Sequence, residues 1–202
     1  MSNQNETVLI TGASTGIGRA VAQAFLDRGY NLVLNSRDPG RLEAAYESLG
    51  RPDNAVLVAG DVSDKNVGQR MVNTALEKFG RVDVLVNNAG VFSLKPFLDV
   101  EEADLDRYYA INLKGTYFTS QAAIPAMQSQ GGGAIINIGT VLVDHALGGF
   151  PASAAVASKG AVHALTLQLT TEFGKDNIRV STVAPGIVRT PHPRPEWHRK
   201  RR

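Results

Sequence analysis

The chain of 202 residues contains no cysteine. That excludes a disulfide framework, a thiolate metal site and a catalytic thiol. It also agrees with a reducing, cytoplasmic setting. Charge of one sign is lacking too: 21 Lys and Arg stand against 19 Asp and Glu, a formal net charge of +2. A global basic surface for nucleic acid is therefore not indicated. Much of the positive excess gathers in Arg199-Lys200-Arg201-Arg202. No apolar run approaches the roughly 20 residues that cross a bilayer. Met1 to Glu6 is polar and lacks the basic-then-apolar order of a signal peptide. A membrane is thus not an expected partner. No His, Asp or Glu grouping has zinc or calcium spacing, so no metal is expected. A G-x-S-x-G nucleophile elbow is absent. So is a Gly-Lys-Ser/Thr after the glycine-rich turn, which argues against a nucleotide triphosphatase.

What is there reads as globular: 43% hydrophobic and 20% charged residues, enough chain for one sizeable core. Short apolar runs alternate with amphipathic stretches. Thr7 to Ile10, Asn31 to Leu34, Ala55 to Ala59, Val82 to Val86, Ala134 to Ile138 and Ile178 to Val183 read as strands. Helical spacing covers Ile17 to Asp27, Arg41 to Ser48, Val67 to Phe79 and Ala154 to Phe173. A long helical stretch over about Glu101 to Gln130 breaks near Asn112. Continuous apolar strands separated by helices predict a parallel sheet covered on both faces. Right-handed crossovers make it a doubly wound, three-layer α/β/α Rossmann fold with strand order 3-2-1-4-5-6. No linker or repeat appears. Residues 1–190 read as one dinucleotide-binding domain and 191–202 as a loose basic tail.

Thr11-Gly12-Ala13-Ser14-Thr15-Gly16-Ile17-Gly18 follows the first strand and opens the first helix. Glycines 12, 16 and 18 let backbone amides approach a diphosphate, and the helix N-terminus adds partial positive charge. Such turns also serve plain strand-to-helix packing, but the placement between strand and helix favours the phosphate reading. The spacing is G-x-x-x-G-x-G, and it resembles the short-chain dehydrogenase/reductase family. Further matches follow in the family's order: Gly60-Asp61-Val62, Asn87-Asn88-Ala89-Gly90, Ile111-Asn112-Leu113-Lys114-Gly115, Ala157-Ser158-Lys159-Gly160-Ala161-Val162 and Pro185-Gly186-Ile187-Val188-Arg189-Thr190. The resemblance spans about Thr7 to Thr190.

The resemblance implies a nicotinamide cofactor held by Gly12, Ser14, Thr15, Gly16, Ile17 and Gly18 at the diphosphate. Asp61 and Val62 would hold the adenine. Asn88, Ala89, Gly90 and Lys159 follow along the cofactor. Pro185, Gly186, Val188 and Thr190 would close over the nicotinamide. The end of the second strand bears on which cofactor. An acidic residue there would bind a ribose 2′-hydroxyl and repel a 2′-phosphate. This chain has Asn35-Ser36-Arg37 instead. Ser36 removes the repulsion, and Arg37 offers a planar fork of donors. NADP is therefore favoured over NAD. The alternative is a solvated Arg37 offset by Asp38. Thr15 weighs slightly against NADP, since relatives preferring it often carry a basic residue there.

In the family a tyrosine supplies the proton for carbonyl reduction, and a lysine one helical turn later lowers its pKa. The resemblance makes Lys159 that lysine, Asn112 the active-site asparagine and Thr140 the hydroxyl that polarises the carbonyl. At the tyrosine position stands Ala155, which has no proton to give. A positioned acid is worth about 10²- to 10⁴-fold in rate. His145, in the loop of Val141 to Pro151, has a suitable imidazole and is the candidate substitute. Tyr108, Ser153 and His163 are weaker candidates, more readily read as packing, helix or interface residues. The family's chain continues past Thr190 with lid helices and a last strand. Prolines 191, 193 and 195 oppose a helix here, so the last strand is expected to be missing and the sixth to form an edge. The expectation is an NADP(H)-dependent oxidoreductase that interconverts a small-molecule carbonyl and alcohol, as a homodimer or homotetramer. The alternative is a silent NADP-binding sensor, scaffold or partner subunit.

Overall fold

A computed structural model describes residues 6–190. The expected loose tail of 191–202 lies outside the described residues. Six parallel strands form one sheet in the order β3-β2-β1-β4-β5-β6: β1 (Thr7–Ile10), β2 (Asn31–Ser36), β3 (Ala55–Ala59), β4 (Val84–Asn87), β5 (Gly133–Ile138) and β6 (Ile178–Val183). Six helices connect them: α1 (Gly16–Leu26), α2 (Pro39–Ser48), α3 (Lys65–Phe79), α4 (Glu102–Tyr108), α5 (Gly115–Ser129) and α6 (Ser153–Phe173).

The alternation within each apolar run sends side chains to two cores. From β1, Val8 and Ile10 join Leu32, Leu34, Leu42 and Ala22 under α1 and α2. Leu9 points the other way and joins Val33, Met71, Met127 and Ile135 under α3 and α5. This is why the strands read as continuous rather than alternating: both faces of β1 are buried. Coverage thins toward β6, where Arg179, Ser181 and Val183 are exposed. Among the described residues no helix is long and apolar enough to cross a membrane.

Several boundaries differ from expectation by a residue or two, and three of them have a clear local reason. Helix α2 begins at Pro39 because Asp38 caps it, accepting from the Arg41 N–H at 3.0 Å. Asp64 does the same for α3, accepting from Asn66 N–H at 2.9 Å. Strand β4 begins at Val84, not Val82, because the Val82 N–H donates to the Gln130 side chain at 3.1 Å instead of the ladder. The expected break near Asn112 is a π-helical turn, Tyr109–Lys114, between α4 and α5.

Candidate active site

Parallel topology gathers the candidate residues, since every one of these loops leaves the carboxyl end of a strand. Gly12 to Gly18 follow β1, Arg37 follows β2, Asp61 and Val62 follow β3, and Asn88 to Gly90 follow β4. Thr140 follows β5, and Pro185 to Thr190 follow β6.

The glycine turn is locked to the loop after β4. The Thr11 hydroxyl accepts from the N–H groups of Asn88 and Ala89, both at 3.0 Å. The Asn88 amide returns the contact, donating to the carbonyls of Thr11 at 2.9 Å and Gly12 at 3.1 Å. Gly12 is left-handed at φ +65°, and a Cβ there would stand 2.8 Å from the Asn88 amide. On α1, a Cβ at Gly18 would stand 2.3 Å from the Gly12 carbonyl. Only hydrogen fits at either position, so the turn lies close against the helix. Gly16, at φ +55°, opens α1, and Thr190 lies over it with its methyl 3.4 Å from where a Cβ would be. The two ends of the candidate cofactor site therefore meet across that turn. Helix α1 begins here, so its first amides have no intrahelical acceptor and face outward for an anion. These features fit a dinucleotide diphosphate.

At the end of β2, the Ser36 hydroxyl donates to the Ser14 hydroxyl at 2.9 Å, tying β2 to the glycine turn. Arg37 is 69% exposed and stands 3.8 Å from Asp61. Its acidic neighbour is thus Asp61, since Asp38 serves as the cap of α2 and pairs with Arg41. Asp61 also accepts from the Ser63 N–H at 2.9 Å and hydroxyl at 2.8 Å. A cleft of about 360 Å³ beside Ser14 and Thr15 is lined further by Arg19 and Arg41. Val62 is buried and packs beneath Gly115, where a Cβ would meet its methyl at 2.7 Å.

The π turn aims Asn112 into this assembly. Its carboxamide is fully buried and grips the loop after β4 at both ends. It accepts from the Val91 N–H at 2.8 Å and donates to the Val91 carbonyl at 3.1 Å. It also donates to the Ser158 hydroxyl at 2.9 Å. On α6, the Lys159 ammonium donates to the Ile138 carbonyl. A Cβ at Gly90 would stand 3.1 Å from the Asn112 oxygen and 3.3 Å from the Lys159 nitrogen. Gly90, Asn112 and Lys159 therefore meet at one point. Burial pushes the Lys159 ammonium down to about 8.

Thr140 starts a short 3₁₀ turn, and its hydroxyl accepts from the Leu142 N–H at 3.3 Å. That leaves its proton free to be donated. The next residue, Val141, donates its N–H to the Pro185 carbonyl at 3.3 Å, drawing the loops after β5 and β6 together. His145 is exposed in the loop beyond, where its backbone N–H donates to the Val141 carbonyl at 3.0 Å. Gly186 and Val188 are exposed as well. Ala155 is 1% exposed and clusters with Tyr108, Ala154, Val91 and Val100. The Tyr108 hydroxyl lies 2.5 Å from the Ser93 hydroxyl and accepts from the Ser93 N–H at 3.0 Å.

Behind the site runs a polar chain that sequence reasoning did not single out. Asn87 donates to Asn137 at 2.9 Å, and Asn137 donates to Thr166 at 2.9 Å. Thr166 meets Thr182 at 2.8 Å. Asn87 is further held by Thr119 at 2.6 Å and Ser120 at 3.0 Å. Polar residues at Asn87 and Asn137, inside runs that otherwise read as buried strand, were the available signal. Thr11 and Ser158 were likewise visible only as parts of longer motifs.

The short chain dehydrogenase family model matches residues 6–201. Oxidoreductase UcpA of Escherichia coli K12 is 38% identical over 187 residues, covering 92% of this chain and 70% of the relative. An L-rhamnose 1-dehydrogenase (NAD(P)(+)) of Sphingomonas sp. SKA58 is 38% identical over 192 residues, covering 93% and 74%. The crystal structure of L-sorbose reductase from Gluconobacter frateurii, complexed with NADPH and L-sorbose, superposes with a TM-score of 0.87. It is 31% identical and is matched over 95% of this chain and 73% of that one. The family match over residues 6–201 and relatives of this identity and coverage show that the chain belongs to the short-chain dehydrogenase family of oxidoreductases.

Proposed function

We propose that this protein is an NADP(H)-dependent oxidoreductase that interconverts a carbonyl and an alcohol on a small molecule, with a proton donor other than tyrosine. The observation that carries the reading is the meeting of Gly90, Asn112 and Lys159 beside the glycine turn. Gly12, Ser14, Thr15, Gly16, Ile17 and Gly18 would hold the diphosphate, and Asp61 and Val62 the adenine. Asn88, Ala89, Gly90 and Lys159 would line the ribose and nicotinamide, with Pro185, Gly186, Val188 and Thr190 over them. When bound, the cofactor supplies or accepts the hydride. The Thr140 hydroxyl, its lone pair engaged by Leu142, donates a hydrogen bond to the substrate oxygen. Asn112 fixes the loop after β4 and so the floor of the site.

NADP is favoured by an end of β2 that carries Ser36 and Arg37 and no carboxylate. Arg19 and Arg41 beside the same cleft add to its positive character. The NADPH bound to the sorbose reductase is consistent with this preference. Homo-oligomer formation is supported by apolar side chains left exposed along α4, the π turn and α5. Leu105, Tyr109 and Tyr117 are 41%, 38% and 47% exposed, and Leu98, in the turn before α4, is 92% exposed.

Ala155, buried among apolar neighbours, favours a second reading: a catalytically silent NADP-binding sensor or partner subunit. One paired experiment separates the two. NADPH and NADH are titrated by fluorescence, and NADPH consumption is followed with a panel of ketones and aldehydes. Binding with turnover supports the enzyme; binding without any turnover supports the silent protein. Failure to bind either coenzyme removes both.

A further inference from the structure

We infer that Lys159 itself hands the proton to the substrate oxygen, acting directly as the general acid. This rests on the proposed carbonyl reduction and names the donor which that reading leaves open.

The other proton-bearing groups near the site are committed or out of reach. Ala155 has none to give. The Tyr108 phenol is engaged by the N–H and the hydroxyl of Ser93. The His145 imidazole is exposed, and among the described residues it makes no hydrogen bond to Thr140, Asn112 or Lys159. Thr140 offers an unactivated hydroxyl, which polarises but is a poor acid.

Lys159 differs in each respect. Its ammonium has three N–H donors, and one is engaged by the Ile138 carbonyl. The groups around it are Ile138 from β5, Gly90 from the loop after β4, and the Asn112 carboxamide from the π turn. All are neutral, and among the described residues no carboxylate pairs with the ammonium to fix the proton in place. Residues 155 and 159 stand one turn apart on α6 and share a face. An alanine at 155 places no long side chain between that face and the ammonium. Burial loosens the ammonium's hold on its proton, down to about 8, which suits proton donation near neutral pH.

The step balances simply. With a bound nicotinamide as the hydride source, the carbonyl carbon would gain the hydride and the carbonyl π pair would move to oxygen. An N–H bond of Lys159 breaks and an O–H bond forms. The lysine is left as a neutral amine and regains a proton from water. The carbonyl is reduced to the alcohol and the cofactor is oxidised.

The test combines a titration that needs no turnover with a charge-conserving variant. In the unliganded protein carrying ¹³C-labelled lysine, one lysine resonance should titrate near pH 8, apart from the others near the ordinary 10.5. That resonance should vanish in Lys159→Arg. Arginine keeps the charge but does not release a proton. Turnover of Lys159→Arg at pH 7, measured at saturating NADPH so that a change in cofactor affinity is kept apart from the chemical step, should therefore fall about 100-fold or more. An alkaline loss of turnover centred near pH 8, expected in the wild type, should be absent in the variant. A lysine set that titrates uniformly near 10.5 overturns the inference, and this needs no variant that folds. Turnover in Lys159→Arg within a few-fold of wild type overturns it too, leaving carbonyl reduction itself intact. NADPH binding with no turnover of any carbonyl removes the reduction reading and this inference together.

Discussion

The same substitution, glycine to alanine, should have opposite effects at two positions. At Gly18 the added Cβ would lie 2.3 Å from the Gly12 carbonyl oxygen and 2.4 Å from the Asn88 amide nitrogen. Ordinary contact begins near 3.4 Å, so the turn must open by about an ångström. Neither neighbour yields easily, because Asn88 holds the Thr11 and Gly12 carbonyls. Overpacking of this kind costs about 1–3 kcal/mol. For a chain of this length that lowers Tm by roughly 2–12 °C. The displaced amides would also lose charged hydrogen bonds to a diphosphate, each worth about 1.5–3 kcal/mol. NADPH affinity should fall about tenfold or more. At Gly160, within α6, nothing lies within 4 Å of the added Cβ. There Gly→Ala should stabilise by about 1 kcal/mol, raising Tm by roughly 2–4 °C. Thermal melts of both variants, with NADPH titrations by fluorescence, measure the two signs. A Gly18→Ala protein that melts within about 1 °C of wild type and binds NADPH unchanged would refute the packing described for this turn.

Three further outcomes follow from individual residues. Arg37→Ala should weaken NADPH about 10- to 100-fold and leave NADH unchanged, since a charged hydrogen bond to the 2′-phosphate is removed; equal weakening of both in parallel titrations would exclude that role. Asn137→Ala strips hydrogen bonds from Asn87 and Thr166, and should cost about 1–3 kcal/mol for each buried group left unpaired, read from urea unfolding at constant m. For Lys159, burial lowers the ammonium from 10.5 to about 8, so between those values the unfolded chain binds more protons and stability rises with pH. Below pH 8 both states carry the proton and the full penalty of about 3 kcal/mol stands. Lys159→Met should therefore be more stable than wild type at pH 7, and the difference should shrink toward pH 10, as seen in paired denaturant titrations.

The fold was legible because its strands are short apolar runs buried on both faces, a pattern that survives without tertiary knowledge. Val82 shows where such reading stops. It is apolar and fully buried, yet its N–H leaves the ladder for Gln130, 48 residues away. Asp38 was read as a charge beside Arg37, whereas its backbone position makes it a helix cap and leaves Asp61 to face the guanidinium. In the site, the glycine turn, Asn112 and Lys159 were legible by resemblance, because each lies within a contiguous motif. The partners that fix them were not. Lys159 meets a carbonyl of β5, and Asn87 meets Asn137 at 50 residues' separation. Only the sheet order brings such pairs together.

The π turn at Tyr109–Lys114 makes part of this molecule brittle to length. A residue of α-helix corresponds to about 100° of rotation. Deleting any one residue of the turn would restore a regular helix while swinging everything on one side of the cut around its axis. The Asn112 carboxamide would then lose Val91 and Ser158, or the exposed Leu105 side chain would swing to a new direction relative to α5. Point changes here are local, but a lost codon would act on the cofactor floor and the outer surface at once.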